Sequence, residues 1–158
     1  MRFSADPKVV LRDPVHLLAF GFGSGLSPKA PGTVGTLVAL PLVFGLMHLP
    51  LLLYLCCVVM LCVVGIYVCG ESARRLNAHD HSGIVLDEFA GMAITMIGMP
   101  LNFRWLLLGF LLFRFFDIVK PWPIREADHR LSGGLGIMLD DVIAGIFSCA
   151  LLHVLLRI

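Results

Sequence analysis

Residues 51–69 read LLLYLCCVVMLCVVGIYVC, nineteen consecutive positions without a charge. A helix needs about 20 apolar residues to cross the hydrocarbon core of a bilayer, so this run predicts a membrane span. Upstream, 36–49 is apolar over fourteen residues, and Pro50 places a turn between the two runs. That length suits either a tilted span or a re-entrant helix. Downstream, 84–99 is apolar apart from Asp87, Glu88 and Thr95. The run 105–119 is interrupted only by Arg114 and Asp117, and 138–156 only by Asp140, Asp141, Ser148 and His153. The expected fold is therefore all-α: a multihelical integral membrane bundle of about four to five spans, with 1–158 as a single domain.

Composition agrees. Of 158 residues, 58% are apolar and 15% charged, against about 25% charged in soluble domains; the mean hydropathy is +0.92. A net charge of +1 excludes the basic face of a nucleic-acid binder. Five cysteines are an odd number, and Cys56, Cys57 and Cys62 lie in the apolar run, so they read as small buried hydrophobes. The first fifteen residues, with Arg2, Asp6, Lys8, Arg12 and Asp13, are too polar for the apolar segment of a signal peptide.

Lysine and arginine set the orientation. With a cytoplasmic N-terminus, 1–35, 70–83 and 120–137 carry Arg2, Lys8, Arg12, Lys29, Arg74, Arg75, Lys120, Arg125 and Arg130. The opposite side carries Arg104 and Arg157, a bias that obeys the positive-inside rule. All the unusual charges then fall at the cytoplasmic ends of the spans.

Carboxylates near a membrane are costly and mark sites or pathways. Asp87, Glu88, Asp117, Asp140 and Asp141, clustered from three helices, would repel one another unless neutralised. A divalent cation with hard oxygen ligands does this, and Mg²⁺ suits carboxylates combined with phosphate oxygens. In FRFFDIVKPWPI (113–124), Arg114 and Asp117 share a helix face, and Pro121 ends the span just after Lys120. Lys29 sits between two prolines in SPKAPGT. Carboxylates for a metal beside lysine and arginine for a dianion form the pattern of phosphoryl transfer. Taken singly, each carboxylate has a structural alternative: Asp140 as a helix N-cap with Asp141 in the first turn, and Asp87 likewise. A second function class is an ion-coupled small membrane transporter using the same carboxylates. It would place them near the midplane, usually in repeated halves, and no repeat is visible. A structural membrane subunit, with Arg114 and Asp117 as a buried ion pair, is a third.

GFGSGLSPKAPGTVGT (21–36) resembles a phosphate loop but lacks the Gly-Lys-Ser/Thr of a P-loop and the glycine spacing of a dinucleotide fingerprint. Lys29 and Thr33 are its best phosphate-binding candidates; a tight turn with small residues for helix packing is the alternative. CGESARR (69–75) has the spacing of a cysteine phosphatase loop, but Cys69 ends an apolar helix beside Glu71, and a thiolate needs an electropositive setting. His79 and His81 with Asp80 read as an exposed polar loop sooner than a metal cluster. His129, one helical turn from Arg125, either assists phosphate binding or lies on a solvated face. Trp105 and Trp122 suit interfacial anchors.

Together and in this order, GFGSGLSPKAPGTVGT, DEFAG, FRFFDIVKPWPI and IMLDDVIAG resemble the phosphatidylglycerophosphatase A family over about residue 15 to the C-terminus. The resemblance implies a multihelical enzyme of the bacterial inner membrane, with its site facing the cytoplasm. It implies Mg²⁺-dependent hydrolysis of the terminal phosphate of phosphatidylglycerophosphate to phosphatidylglycerol, with membrane lipid around it and no obligate protein partner. Asp87, Glu88, Asp117, Asp140 and Asp141 are then the expected metal ligands, with Lys29, Thr33, Arg114 and Lys120 on the phosphate. Water is the expected nucleophile and an aspartate the alternative.

Overall fold

The computed structural model describes residues 6–78, 81–122, 124 and 133–158; His79, Asp80, Arg125 and His129 lie outside them. Two short helices come first, each opened by an Asp-Pro pair. In α1 (Pro7–Arg12) the Asp6 carboxylate accepts the Lys8 N–H at 2.9 Å. In α2 (Pro14–Ala19) the Asp13 carboxylate accepts the Val15 N–H at 2.8 Å. Proline at the first helical position forfeits an N–H that has no partner there anyway. The second Asp13 oxygen takes Arg75 Nη1 at 2.7 Å. Desolvation pushes the Asp13 carboxyl upward, but the Val15 and His16 N–H groups and Arg75 outweigh it and hold the group below its ordinary value.

A 3-10 turn over Gly21–Leu26 follows, with Gly21, Phe22 and Gly23 in left-handed conformations. Then come α3 (Pro31–Leu46), α4 (Leu51–Arg75), α5 (Leu86–Thr95), α6 (Phe103–Val119) and α7 (Gly133–Leu156). No strand occurs among the described residues, so the all-helical expectation holds. Pro50 caps α4 and makes the expected turn after α3.

Among the described residues two helices, α4 and α7, are long and apolar enough to cross a membrane. The third expected span, 84–99, contains only the ten residues of α5, about 15 Å of helix against a core of about 30 Å. Nine of its ten residues are buried, all but Asp87, so α5 is a core element of the protein. Glycine brings its neighbours close. A Cβ on Gly145 would stand 2.6 Å from the Gly91 carbonyl, and one on Gly91 would stand 2.9 Å from the Asp141 carbonyl. The α5 and α7 backbones therefore touch, as small residues allow in membrane bundles. Gly70 of α4 likewise faces the Gly134 backbone of α7.

The N-terminal helices lie against the C-terminal end of α4. His16 Nδ1 and Ser72 Oγ are 2.8 Å apart and buried. The Val85 N–H donates to Ala19 O at 2.8 Å, tying the start of α5 to the end of α2. The start of α3, the start of α5, the end of α4 and the end of α6 thus gather at one end of the molecule.

Candidate active site

That end holds the carboxylates. Asp87 and Glu88 lie in the first turn of α5, Asp117 in the last turn of α6, and Asp140 and Asp141 seven and eight residues into α7. The capping alternative fails for Asp140 and Asp141, whereas Asp87 keeps a first-turn role, its Oδ1 accepting the Glu88 N–H at 3.1 Å. Asp140 and Asp141 are buried in mid-helix, so neither caps α7; Val85 occupies the cap position of α5, leaving Asp87 in the first turn. Carboxylate oxygens of Asp87, Glu88 and Asp141 fall within 4.8 Å of one another, as do those of Asp117, Asp140 and Asp141. Asp141 belongs to both groups. The helix pairing explains this: Gly91 follows Asp87, and Gly145 follows Asp141, by one turn. The glycine contact between α5 and α7 thus stacks the two acidic turns side by side.

Among the described residues, Arg114 and Lys120 face the five carboxylates. Arg114 Nη1 lies 2.6 Å from Asp117 Oδ2 and 3.4 Å from Glu88 Oε1; it also donates to Thr36 Oγ1 at 3.4 Å. Lys120 Nζ donates to Asp140 Oδ2 at 2.7 Å. The carboxylates crowd together in a shielded setting, where Asp141 is 2% exposed. Glu88 Oε2 is buried without a hydrogen-bond partner among the described residues. An all-oxygen donor set and an orphaned carboxylate oxygen fit a hard divalent cation.

Two lysines lie beside strained turns. Lys120 ends α6 in a left-handed conformation (φ 45°) immediately before Pro121. Ala30, next to Lys29, repeats this before Pro31 (φ 45°). Neither a side chain nor a following proline favours that conformation, and such strain persists where the surroundings over-determine it. Lys29 is exposed and makes no ion pair among the described residues. Thr33 sits half-buried in the first turn of α3, whose N-terminus has no side-chain cap.

The glycine loop divides its roles. Gly25 packs against the Gly83 backbone, as the turn alternative expected. Gly32 and Gly35, which the sequence reading passed over, lie on Glu88. A Cβ at Gly32 would collide with Glu88 Oε1, and one at Gly35 would stand 3.0 Å from Oε2. Their i, i+3 spacing was the available signal, and Thr36 carried none. Cys69 is fully buried and Arg75 is engaged by Glu71 and Asp13, which closes the cysteine phosphatase reading. His81 accepts the Gly83 N–H at 3.0 Å and lies 5.4 Å from the Phe20 ring. Trp122 is 77% exposed, as an interfacial anchor would be.

Fold and site together define an all-helical protein, rich in apolar surface, with an acidic centre framed by cations at one end. Residues 17–156 match the profile of the family described as Phosphatidylglycerophosphatase A. The chain belongs to this family of lipid phosphatases. It is 45% identical over 150 residues to phosphatidylglycerophosphatase A of Escherichia coli K12, covering 94% of this chain and 87% of that one. It is 45% identical over 145 residues to the Haemophilus influenzae protein of the same name, covering 89% and 88%. A Bacteroides thetaiotaomicron protein, provisionally named a phosphatidylinositol-3-phosphatase, is 39% identical over 145 residues, covering 87% of this chain and 91% of its own. No solved structure matches the chain.

Proposed function

We propose that this chain hydrolyses the terminal phosphomonoester of phosphatidylglycerophosphate, with Mg²⁺, at the cytoplasmic face of the bacterial inner membrane. The observation that carries the reading is the meeting of Asp87, Glu88, Asp117, Asp140 and Asp141 from three helices, in a chain matched nearly end to end by the family. The reading takes four crossings, α4 and α7 at full length and α3 and α6 at sixteen and seventeen residues, with α5 as a half-length helix inside. The lysine and arginine bias then puts the acidic end in the cytoplasm. The transporter alternative is disfavoured by the family and by the position of the carboxylates at one end of α5 and α6.

Asp87, Glu88, Asp117, Asp140 and Asp141 would hold the metal. When bound, Mg²⁺ supplies a Lewis acid for the phosphoryl oxygens and lowers the pKa of water. The protein's own residues do the rest. Lys120, 2.7 Å from Asp140, is placed to neutralise a non-bridging oxygen as charge develops. Lys29, exposed in the loop before α3, is a second cation for the phosphate, and the Thr33 hydroxyl and uncapped α3 N–H groups supply further donors. Water attacks phosphorus as the bond to the glycerol oxygen breaks, and the proton that the water gives up goes to that oxygen. Acyl chains lie along the exposed apolar faces of the helices, with Trp122 at headgroup depth.

The first test is phosphate release from phosphatidylglycerophosphate by detergent-purified protein, with Mg²⁺ and with EDTA. The reading expects release with Mg²⁺, none with EDTA, and a loss of at least a hundredfold in folded Asp141→Asn. No release with any divalent metal would overturn it.

A further inference from the structure

We infer that Arg114 is a positioning residue, which holds Glu88 and Asp117 in register for the metal while it is itself held by Thr36. The inference rests on the proposed metal-dependent reading of the site and assigns the arginine a part in it.

Arg114 is the point where three helices meet. Its Nη1 alone faces Asp117 of its own helix at 2.6 Å, Glu88 of α5 at 3.4 Å and Thr36 of α3 at 3.4 Å. All the charged members of this set are shielded: the side chains of Arg114 and Asp117 are 13% exposed and that of Glu88 11%. Thr36 is fully buried and spends its own proton on Gly32 O, 2.9 Å away, so its oxygen is fixed as an acceptor. The guanidinium cannot slide without leaving that acceptor. Its Nε is buried too, with no hydrogen-bond partner among the described residues. Bare Gly32 leaves room behind it: a Cβ there would stand 3.2 Å from Arg114 Nη2.

Glu88 belongs to one acidic group and Asp117 to the other. One arginine therefore sets the spacing between the two groups. Asp117 and Glu88 are brought to a common centre by one nitrogen of a planar, rigid guanidinium, a placement that lysine's ammonium on its flexible stem does not fix. Partners that orient metal ligands from behind typically change metal affinity or activity 10- to 100-fold on mutation, by about that order.

The experiment is calorimetric titration of detergent-purified protein with Mn²⁺, read beside thermal unfolding and competitive inhibition by inorganic phosphate. Arg114→Lys keeps the charge and loses the bridge; Thr36→Val keeps the shape and loses the acceptor. The expected result is a Mn²⁺ Kd raised about tenfold or more in Arg114→Lys. Thr36→Val should show a smaller rise in the same direction, and the phosphate inhibition constant at saturating metal should stay unchanged in both. Unchanged Mn²⁺ affinity with weakened phosphate inhibition would overturn the inference and make Arg114 a phosphate ligand. A lowered unfolding temperature with neither constant moved would overturn it in favour of a purely structural ion pair. Failure of the unmutated protein to bind any divalent cation would sink the metal reading itself, a distinct outcome.

Discussion

Lys120 combines two things that are normally kept apart, a strained backbone and a charged contact. Its left-handed conformation before Pro121 costs roughly 1–2 kcal/mol for a residue with a side chain, and the Nζ–Asp140 contact at 2.7 Å opposes that cost. The two contributions can be separated. Lys120→Ala and Lys120→Gly both remove the ammonium, but only glycine accepts φ 45° without a Cβ penalty. Denaturation should therefore find Lys120→Gly more stable than Lys120→Ala by about 1 kcal/mol, while both lose phosphate release by tenfold or more. Equal stabilities would mean that the turn relaxes when the lysine leaves.

At the scale of helices, the contact that matters most is the one between α5 and α7. Gly91→Ala places a methyl against the Phe113 ring and 2.9 Å from Asp141 O. The helices must part or Phe113 must move, at a cost of about 1–3 kcal/mol by the usual penalty for overpacking. Because Asp87 and Asp141 lie one turn away, activity should fall further than stability does, which a comparison of turnover with unfolding midpoint would show. Gly45→Ala, with open space around its added methyl, should leave both unchanged. The same contact shows what could be read from sequence. The acidic pairs and the cations were visible, because a charge in an apolar run has few bland explanations. The long run of α4 was visible because length alone defines a span. The ten-residue α5 was not: its apolar character reflects burial in protein, and hydropathy cannot tell protein from lipid. The seating of Glu88 between Gly32 and Gly35 joins segments more than fifty positions apart, and no local pattern announces such a meeting.

Over the whole molecule, the chain sorts its charges by end. Lys29 and Lys120 frame the acidic end, whereas Arg104 lies just inside the start of α6 and Arg157 just past the end of α7, at the opposite end. Single cysteines placed on a cysteine-free background at Lys29 and Arg104 would test the orientation. A membrane-impermeant maleimide applied to intact spheroplasts should label the Arg104→Cys protein and spare Lys29→Cys until the membrane is opened. The reverse pattern would invert the proposed topology. The short α5 also has a consequence for how the protein is made. It leaves the ribosome bearing Asp87 and Glu88 before α6 and its arginine exist, and at about 15 Å it can neither span the bilayer nor shield its own acids. On the proposed topology this helix waits at the water's edge during synthesis and enters alongside α6, so the acidic centre forms by late docking of a half-helix.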